Sequence, residues 1–299
     1  MSFPKRVRIQ ECCPRDGWQN HSDFIPTETK IKYIKKMIDC GIKMMEVTSF
    51  VNPKVMPQMT DAKEVYRDVK DYASSRDVTL TALALNKRGV EDAEAAGVRT
   101  VEFVLSASEE HNLRNSRCTV EESLNTFKEL ASHSEGLDVI LCLPCVFGSP
   151  FGDEISLERL RKIIDVARSV GVESFGLADT AGISAPDHTR EILRFFANYA
   201  DISKISVHFH DTYGMGIANA YVALEEGFTR LDSSLAAMGG CPFSPGAKGN
   251  ISTEDLVYMC EAMGIETGCD LPALAQTAKS MCNDIHADLG GSFSLACCD

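Results

Sequence analysis

The stretch "CGIKMMEV", Cys40 to Val47, decides the fold class, because it joins the end of a helix to the start of a strand. Before it, "PTETKIKYIKKMIDCG" places Ile31, Ile34 and Ile38 on one helical stripe, and Gly41 is suited to ending the helix. After it, "MMEVTSF" is a largely apolar run of the kind that forms a buried parallel strand. The stretch therefore predicts a helix–strand junction of an α/β fold.

The junction pattern recurs three more times along the chain. "AGVRTVEF" (Ala96–Phe103), "VGVESFGL" (Val170–Leu177) and "EGFTRLDS" (Glu226–Ser233) repeat the glycine, the apolar residue after it and the strand that follows. Successive glycines of the pattern are separated by 56, 74 and 56 residues, and each interval contains one other apolar run. The four runs after these glycines, the three other runs between them and one run before the first glycine predict eight strands. They are Val7–Cys12, Met44–Phe50, Val78–Leu85, Thr100–Ser108, Leu137–Cys145, Glu173–Thr180, Ile205–His210 and Arg230–Met238.

Eight strands that alternate with helices predict a (β/α)8 TIM barrel with parallel strands. A doubly wound open sheet is the alternative, but no G-x-G-x-x-G follows the first predicted strand. A chain of 299 residues can hold one large α/β domain or two ordinary ones. We expect one catalytic domain over residues 1–299, with the barrel at about 5–265 and a C-terminal helical extension at about 266–299.

The composition, with 44% hydrophobic and 24% charged residues, is typical of a globular protein. The net charge of −13 argues against nucleic acid or an anionic membrane as a partner, since both bind basic surfaces. We expect no membrane span, because no apolar run approaches about 20 residues, and no secretory or mitochondrial leader. The twelve cysteines are dispersed through a large chain, which predicts reduced thiols and a cytoplasmic protein.

Polar side chains follow or end several of the predicted strands. Arg15 and Asp16 follow the first strand, Glu46 and Ser49 lie in the second, and Thr180 ends the sixth. The active site of a TIM barrel lies at the C-terminal ends of its strands. We therefore expect these side chains to meet at one mouth of the barrel, although loop ends are polar in any protein.

The seventh predicted strand runs into "VHFHD", which places His208 and His210 two residues apart. Alternate residues of a strand point to the same side, so both imidazoles could bind one metal ion. A pair of hydrogen-bonded core histidines is an equally good interpretation of this motif alone. The chain has no suitable C-x-x-C, so further ligands would be oxygens, and Asp16 is a candidate. Such a nitrogen and oxygen set suits Mg²⁺ or Mn²⁺, with Zn²⁺ as a further candidate.

The loop "GGCPFSPGAKGN", residues 239–250, follows the last predicted strand and is rich in glycine and proline. A loop of this kind could form a lid over the active site. Cys241 could donate or accept a proton if its pKa is tuned, or it could be a small residue in a turn. Lys248 could meet an anionic substrate or be solvated.

Three stretches together resemble the 3-hydroxy-3-methylglutaryl-CoA (HMG-CoA) lyase family of metal-dependent TIM-barrel lyases. They are "PRDGWQN" (Pro14–Asn20), "EVTSFVNPKVMPQMTDA" (Glu46–Ala62) and the long stretch from His208 to Met259. The resemblance implies a carbon–carbon lyase that cleaves HMG-CoA, or a close 3-hydroxyacyl-CoA, by retro-Claisen chemistry. The products would be acetyl-CoA and a keto acid, which is acetoacetate for HMG-CoA, as in leucine or ketone-body metabolism.

The same resemblance implies roles for individual residues. Arg15 would stabilise the enolate, Cys241 would protonate the product carbanion, and Glu46 would orient the groups around it. Asp16 and His208 would also take part in catalysis. The implied metal ligands are Asp16, His208, His210 and Asn250. The substrate-binding candidates are Arg15, Trp18, Gln19, Ser49, Thr180 and Lys248.

Trp18 stands where the family usually has leucine, so a larger ring near the acyl pocket would change which acyl group is recognised. The implied partners are a divalent cation, an acyl-CoA substrate and further copies of the chain in a dimer or higher homo-oligomer. No organic cofactor is implied. Two alternatives remain: an aldolase or citramalyl-type lyase acting on another hydroxy acid, and a non-catalytic barrel that binds a metal and an acyl-CoA.

Overall fold

The structure, a computed structural model, describes residues 3–133, 136–240 and 249–297. Eight strands form a closed barrel in the order β1 to β8, and every neighbouring pair is parallel. The strands are β1 Arg8–Glu11, β2 Met44–Ser49, β3 Thr79–Ala84, β4 Thr100–Val104, β5 Asp138–Pro144, β6 Ser174–Asp179, β7 Ile205–Phe209 and β8 Arg230–Ser233. The predicted (β/α)8 TIM barrel is therefore confirmed.

Helices cover the outside of the barrel between the strands. In the described parts of the chain they are α1 Thr27–Asp39, α2 Ala62–Ser74, α3 Lys87–Ala96, α4 Glu109–Ser116, α5 Val120–His133, α6 Leu157–Ser169, α7 Pro186–Tyr199, α8 Gly216–Glu225, α9 Thr253–Ala262, α10 Leu271–Ile285 and α11 Ser292–Ala296. Both faces of the sheet are buried, as the apolar strand runs predict. None of the helices that the structure describes is long and apolar enough to cross a membrane.

The four glycines of the repeated junction end their helices as predicted. Gly41, Gly97, Gly171 and Gly227 have φ values of +98°, +88°, +80° and +88°. This left-handed backbone is strained for any residue with a Cβ atom. At Gly41 a Cβ would also lie 2.2 Å from the carbonyl oxygen of Gly268, which precedes α10. The first junction therefore requires glycine for two separate reasons.

Several predicted strands extend beyond the observed ones at their C-terminal ends. The eighth strand stops at Ser233 instead of Met238, because Ala236 and Ala237 have φ values of +58° and +52°, which cannot continue a strand. The fourth strand stops at Val104, and Ser108 accepts a hydrogen bond from the N–H of His111 as the N-cap of α4. These shorter strands leave longer loops at the mouth of the barrel.

Glu11 joins the first and last strands where the barrel closes. It is fully buried at the end of β1, paired in register with Ser233 of β8. Its Oε1 accepts the backbone N–H groups of Cys13, at 2.8 Å, and Leu235, at 2.9 Å. Its Oε2 accepts the hydroxyl of Thr253 at 2.8 Å. One carboxyl group therefore holds the loops after β1 and β8 and the start of α9 together.

The C-terminal helices pack on this same region. The Ser294 hydroxyl of α11 donates to Glu254 Oε1 at 2.8 Å, and the Glu254 carboxylate also accepts the N–H of Ala236 at 3.0 Å. The N–H of Phe293 donates to Asp255 Oδ1 at 2.6 Å. The start of α9 thus binds both α11 and the left-handed turn after β8. The extension supports the mouth of the barrel instead of forming a separate unit.

The Glu11→Gln variant tests how this buried carboxyl group changes the free energy of unfolding with pH. Burial raises the pKa of Glu11 to about 7 from 4.5, against the opposing hydrogen bonds from Cys13, Leu235 and Thr253. Because the folded-state pKa is raised, the stabilising contribution is fully present below pH 4.5 and is lost as pH rises through 7. Relative to the variant, which does not titrate here, wild-type stability should fall by up to about 3 kcal/mol over this range.

The measurement is urea unfolding of both proteins at several pH values between 4.5 and 8. Glu261→Gln, which removes an exposed carboxylate of α9, serves as the control and should keep the wild-type pH profile. Parallel pH profiles for wild type and Glu11→Gln would show that Glu11 does not titrate in this range.

Candidate active site

A cavity of about 320 Å³ lies inside the barrel at the C-terminal ends of the strands. Its wall includes residues from the turn after β1 and from β2, β4, β5, β7 and β8. Among the predicted site residues, those that line it are Arg15, Asp16, Gln19, Glu46, Thr180, His208 and His210. The expected gathering of polar side chains at one mouth of the barrel is therefore observed.

The turn after β1, Cys13–Gly17, carries the two charged residues of the "PRDG" motif into this cavity. It is a wide helical turn, in which the N–H of Trp18 donates to the carbonyl of Cys13 at 2.9 Å, five residues back. Such turns occur often at functional sites. A Cβ on Gly17 would lie 3.0 Å from both Met238 Cβ and Ser234 Oγ, so glycine lets the turn pack against the loop after β8.

Arg15 lies between two carboxylates in this turn. Its Nη1 is 2.6 Å from Asp16 Oδ1, and its Nε is 2.6 Å from Glu46 Oε1 of β2. Burial opposes the charge, but Glu46 and Asp16 outweigh it and raise the pKa of Arg15. The guanidinium therefore stays charged and fixed in one orientation at the wall of the cavity. Burial raises the pKa of Glu46 well above its usual range, although Arg15 acts to lower it.

Asp16 is the point where three polar side chains converge. Gln19 Nε2 donates to its Oδ1 at 2.8 Å, and Asn250 Nδ2 donates to its Oδ2 at 2.7 Å. Burial alone would raise the pKa of Asp16, but Arg15, His208 and His210 outweigh it and lower the pKa to about 2. Asp16 is therefore an ionised, well-oriented carboxylate at neutral pH.

The two histidines of "VHFHD" lie side by side, with ring centroids 5.2 Å apart. His208 Nδ1 is 3.5 Å from Asp232 Oδ2, so its other nitrogen is left for the cavity. Burial acts to lower the pKa of His208, but Asp232 outweighs it and raises the pKa. Burial, together with the nearby His208, lowers the pKa of His210 to about 4. His210 is neutral at pH 7, and its buried Nδ1 has no hydrogen-bond partner in the part of the chain that the structure describes.

Asn250 reaches the site because the chain returns from the glycine-rich loop beside β7. An isolated bridge pairs Asn250 with His210, and the N–H of Asp211 donates to the carbonyl of Gly249 at 2.8 Å. Gly239, with φ +122°, leaves room for the amide, since a Cβ there would lie 2.6 Å from Asn250 Nδ2. The buried Oδ1 of Asn250 has no hydrogen-bond partner in the described residues.

These residues fit a divalent cation. Ligand atoms of Asp16, His208 and His210 lie within 4.8 Å of one another. The unpartnered Asn250 Oδ1 and His210 Nδ1 are free to bind, and an amide oxygen, a carboxylate and two imidazoles suit Mg²⁺, Mn²⁺ or Zn²⁺. Cys12 forms a second cluster with His208 and Asp232, but burial raises the pKa of the thiol so far that it stays protonated.

Two predicted substrate-binding residues, Trp18 and Ser49, do not line this cavity. Trp18 is 1% exposed within the hydrophobic core, and Ser49 lines a separate cleft with Asn86 and Arg88. Substrate contact by these two residues therefore stays a prediction. Cys241 and Lys248 lie outside the described residues.

Two buried acidic residues of the cavity had no role in the sequence-based prediction. Asp232 of β8 contacts His208, and Glu102 lies in the middle of β4. Both are charged residues inside runs that were interpreted only as strands. A charged residue within a strand buried on both faces is the signal that could have identified them.

The chain matches the HMGL-like family over residues 6–281. A curated relative, the mitochondrial hydroxymethylglutaryl-CoA lyase of Gallus gallus, is 37% identical over 299 residues, which cover 99% of each chain. The solved HMG-CoA lyase of Bacillus subtilis superposes with a TM-score of 0.94 at 34% identity, covering 99% of each chain. That of Acinetobacter baumannii, in complex with coenzyme A and 3-methylmalate, has a TM-score of 0.93 at 34% identity over 99% of this chain and 97% of that one.

A closed parallel barrel with a histidine and carboxylate cluster at the C-terminal ends of its strands defines a (β/α)8-barrel enzyme with a potential metal site. The match over residues 6–281 makes the assignment more specific. The chain belongs to the HMGL-like family and is a carbon–carbon lyase.

The Asp232→Asn variant tests whether the Asp232 carboxylate, which lies 3.5 Å from His208 Nδ1, strengthens cation binding by His208. The carboxylate fixes the imidazole in orientation and makes it a stronger ligand, and losing such a partner typically weakens metal affinity by about 10–100-fold. We expect this loss for Mn²⁺, measured by titration with electron paramagnetic resonance. Asp201→Asn, at an exposed site before β7, is the matched control and should bind Mn²⁺ as wild type does. Equal affinities in all three proteins would contradict the assignment.

Proposed function

We propose that this enzyme is a divalent-cation-dependent lyase that cleaves HMG-CoA, or a close 3-hydroxyacyl-CoA, to acetyl-CoA and a carbonyl compound. For HMG-CoA the second product is acetoacetate. The observation that carries the proposal is the meeting of Arg15 with Asp16, His208 and His210 in one cavity. The names of the relatives and the coenzyme A complex of the Acinetobacter baumannii enzyme support the substrate class.

The chemistry requires an acid to polarise the oxygens of the substrate and a base to take the hydroxyl proton. A bound Mg²⁺ or Mn²⁺ would supply the Lewis acid, and Asp16, His208, His210 and Asn250 would hold it. Asp16 is ionised and oriented by Gln19 and Asn250, so its free lone pairs suit both cation binding and proton transfer.

Arg15 is assigned to the charge that develops on the thioester oxygen. The 3-hydroxyl loses its proton, the bond between the second and third carbons of the acyl chain breaks, and its electron pair forms the enolate of acetyl-CoA. A guanidinium that is always charged and held by Glu46 and Asp16 can stabilise that oxygen without reorganising. Glu46 would position Arg15 instead of touching the substrate.

Protonation of the enolate carbon completes the reaction. The family resemblance assigns this proton to Cys241, which lies outside the described residues. The described side of the cavity supplies Thr180 and Gln19, whose polar atoms could bind the acyl-CoA near its thioester.

The direct test is product analysis with a controlled cation. Mg²⁺-loaded enzyme should release acetyl-CoA from HMG-CoA, lose the activity when a chelator removes the cation, and regain it with Mn²⁺. His210→Ala should lose both Mn²⁺ binding and turnover, whereas His188→Ala, on the exposed side of α7, should lose neither. Release of free pyruvate from a hydroxy acid, without acetyl-CoA, would favour the aldolase alternative instead.

The Arg15→Gln variant tests the assignment of the enolate charge. We expect kcat to fall by about 10²–10³-fold while KM changes only a few-fold, because the lost interaction forms in the transition state. The measurement is steady-state release of acetyl-CoA at saturating Mg²⁺. Arg8→Gln, at the opposite end of the barrel, is the control. A raised KM with an unchanged kcat would instead place Arg15 in ground-state binding.

A further inference from the structure

Glu102 lies on the cavity wall but belongs to none of the motifs that carry the family resemblance. It occupies the middle of β4, paired in register with Leu83 of β3 and Ile140 of β5, and it is 4% exposed. It lines the same cavity as the candidate metal ligands. Its position in the strand interior, and not at the strand end, places it on the floor of the cavity.

The hydrogen bonds of Glu102 are those of an acceptor. Gln10 Nε2 and Thr81 Oγ1 donate to its Oε1 at 2.9 and 2.5 Å, and the Cys142 thiol donates to its Oε2 at 3.1 Å. Gly176 makes room for that thiol, since a Cβ there would lie 2.9 Å from Cys142 Sγ. Three residues, one each from β1, β3 and β5, therefore donate to one carboxyl group.

The side chains around Glu102 offer little positive charge apart from the cation site formed by Asp16, His208 and His210. Glu46 and Asp232 line the same floor, and the buried Asp232 Oδ1 has no hydrogen-bond partner within residues 3–133, 136–240 and 249–297. Among the described residues of the cavity wall, Arg15 is the only arginine or lysine, and it is already paired with Asp16 and Glu46. Among the described residues, the floor therefore presents carboxyl groups and acceptor atoms to whatever reaches it.

The far end of the acyl chain is the part of the substrate that reaches this floor. A cavity of about 320 Å³ holds an acyl group but not the nucleotide of coenzyme A. The nucleotide of a bound thioester must therefore lie outside the mouth of the barrel. With the reacting carbons at Arg15 and Asp16, the remainder of the acyl chain points inward. A carboxylate there would face the Glu102 carboxyl group, whose hydrogen-bond donors among the described residues are all neutral, in a desolvated site that offers it no compensating donor.

We propose that Glu102 is a specificity-determining residue that selects acyl groups with an uncharged far end over those that end in a carboxylate. This inference rests on the proposed function and makes its substrate class narrower. HMG-CoA is then a slower substrate than a thioester such as 3-hydroxy-3-methylbutanoyl-CoA, in which a methyl group replaces the carboxymethyl group. Retro-Claisen cleavage of that thioester yields acetyl-CoA and acetone, which balances atoms and charge.

The test measures binding separately from cleavage. Glutaryl-CoA and pentanoyl-CoA have acyl chains of the same length, one ending in a carboxylate and one in a methyl group, and neither has the hydroxyl needed for cleavage. By calorimetry with saturating Mg²⁺, wild type should bind pentanoyl-CoA at least tenfold more tightly. Glu102→Gln, which keeps the size of the side chain, should reduce this ratio at least tenfold.

Glu110→Gln is the matched control, because it makes the same chemical change at an exposed position of α4 and should keep the wild-type ratio. Glu102→Asp keeps the charge and should also keep the preference, and thermal unfolding checks that each variant is folded. Equal affinity of wild type for the two thioesters overturns the proposal without reference to any variant. An unchanged ratio in folded Glu102→Gln overturns it as well.

Cleavage assays on the two 3-hydroxyacyl thioesters then separate this inference from the proposed function. A higher kcat/KM for 3-hydroxy-3-methylbutanoyl-CoA than for HMG-CoA supports both. Faster cleavage of HMG-CoA overturns the role of Glu102 and leaves the lyase assignment intact. Failure to cleave either thioester overturns the proposed function, and with it the substrate preference that rests on it.

Discussion

Glu11 joins the two ends of the barrel, and the geometry of the site depends on that junction. Its carboxyl group accepts the N–H of Cys13, which begins the turn that carries Arg15 and Asp16, and the N–H of Leu235, which follows β8. The loop after β8 in turn positions Met238, whose carbonyl accepts Asn250 Nδ2 at 3.1 Å. Asp16 and Asn250, two ligand candidates that lie 234 residues apart in the chain, therefore meet because these hydrogen bonds position both loops.

The cavity concentrates acidic groups around a single arginine. Asp16, Glu46 and Asp232 each have a cationic or imidazole partner, whereas the donors to Glu102 among the described residues are neutral. Burying this many carboxylates is costly unless other charges compensate them. A divalent cation among Asp16, His208 and His210 would provide much of that compensation. The carboxyl group of Glu102 on the floor is the proposed physical basis for discriminating between acyl groups.

The sequence was sufficient for the fold because its signals are local and repeated. The glycines at the ends of α1, α3, α6 and α8 adopt the left-handed backbone expected of them, and the strands follow within a few residues. Strand ends were less predictable, since the stop after Ser233 depends on the turn at Ala236, which Glu254 holds from α9. That contact joins distant segments, and no local pattern of residues encodes it.

The sequence by itself determined the barrel, the residues at the strand ends and, through the motifs around Arg15 and His208, the family. Periodicity and strand alternation are properties of neighbouring residues, so they can be read directly from the chain. Only the tertiary structure decided which of those residues share a cavity. It placed Trp18 in the core, although the residue lies two positions from Asp16, and it placed Glu102 on the cavity floor. The physical reason is that burial and charge pairing depend on contacts between strands far apart in sequence.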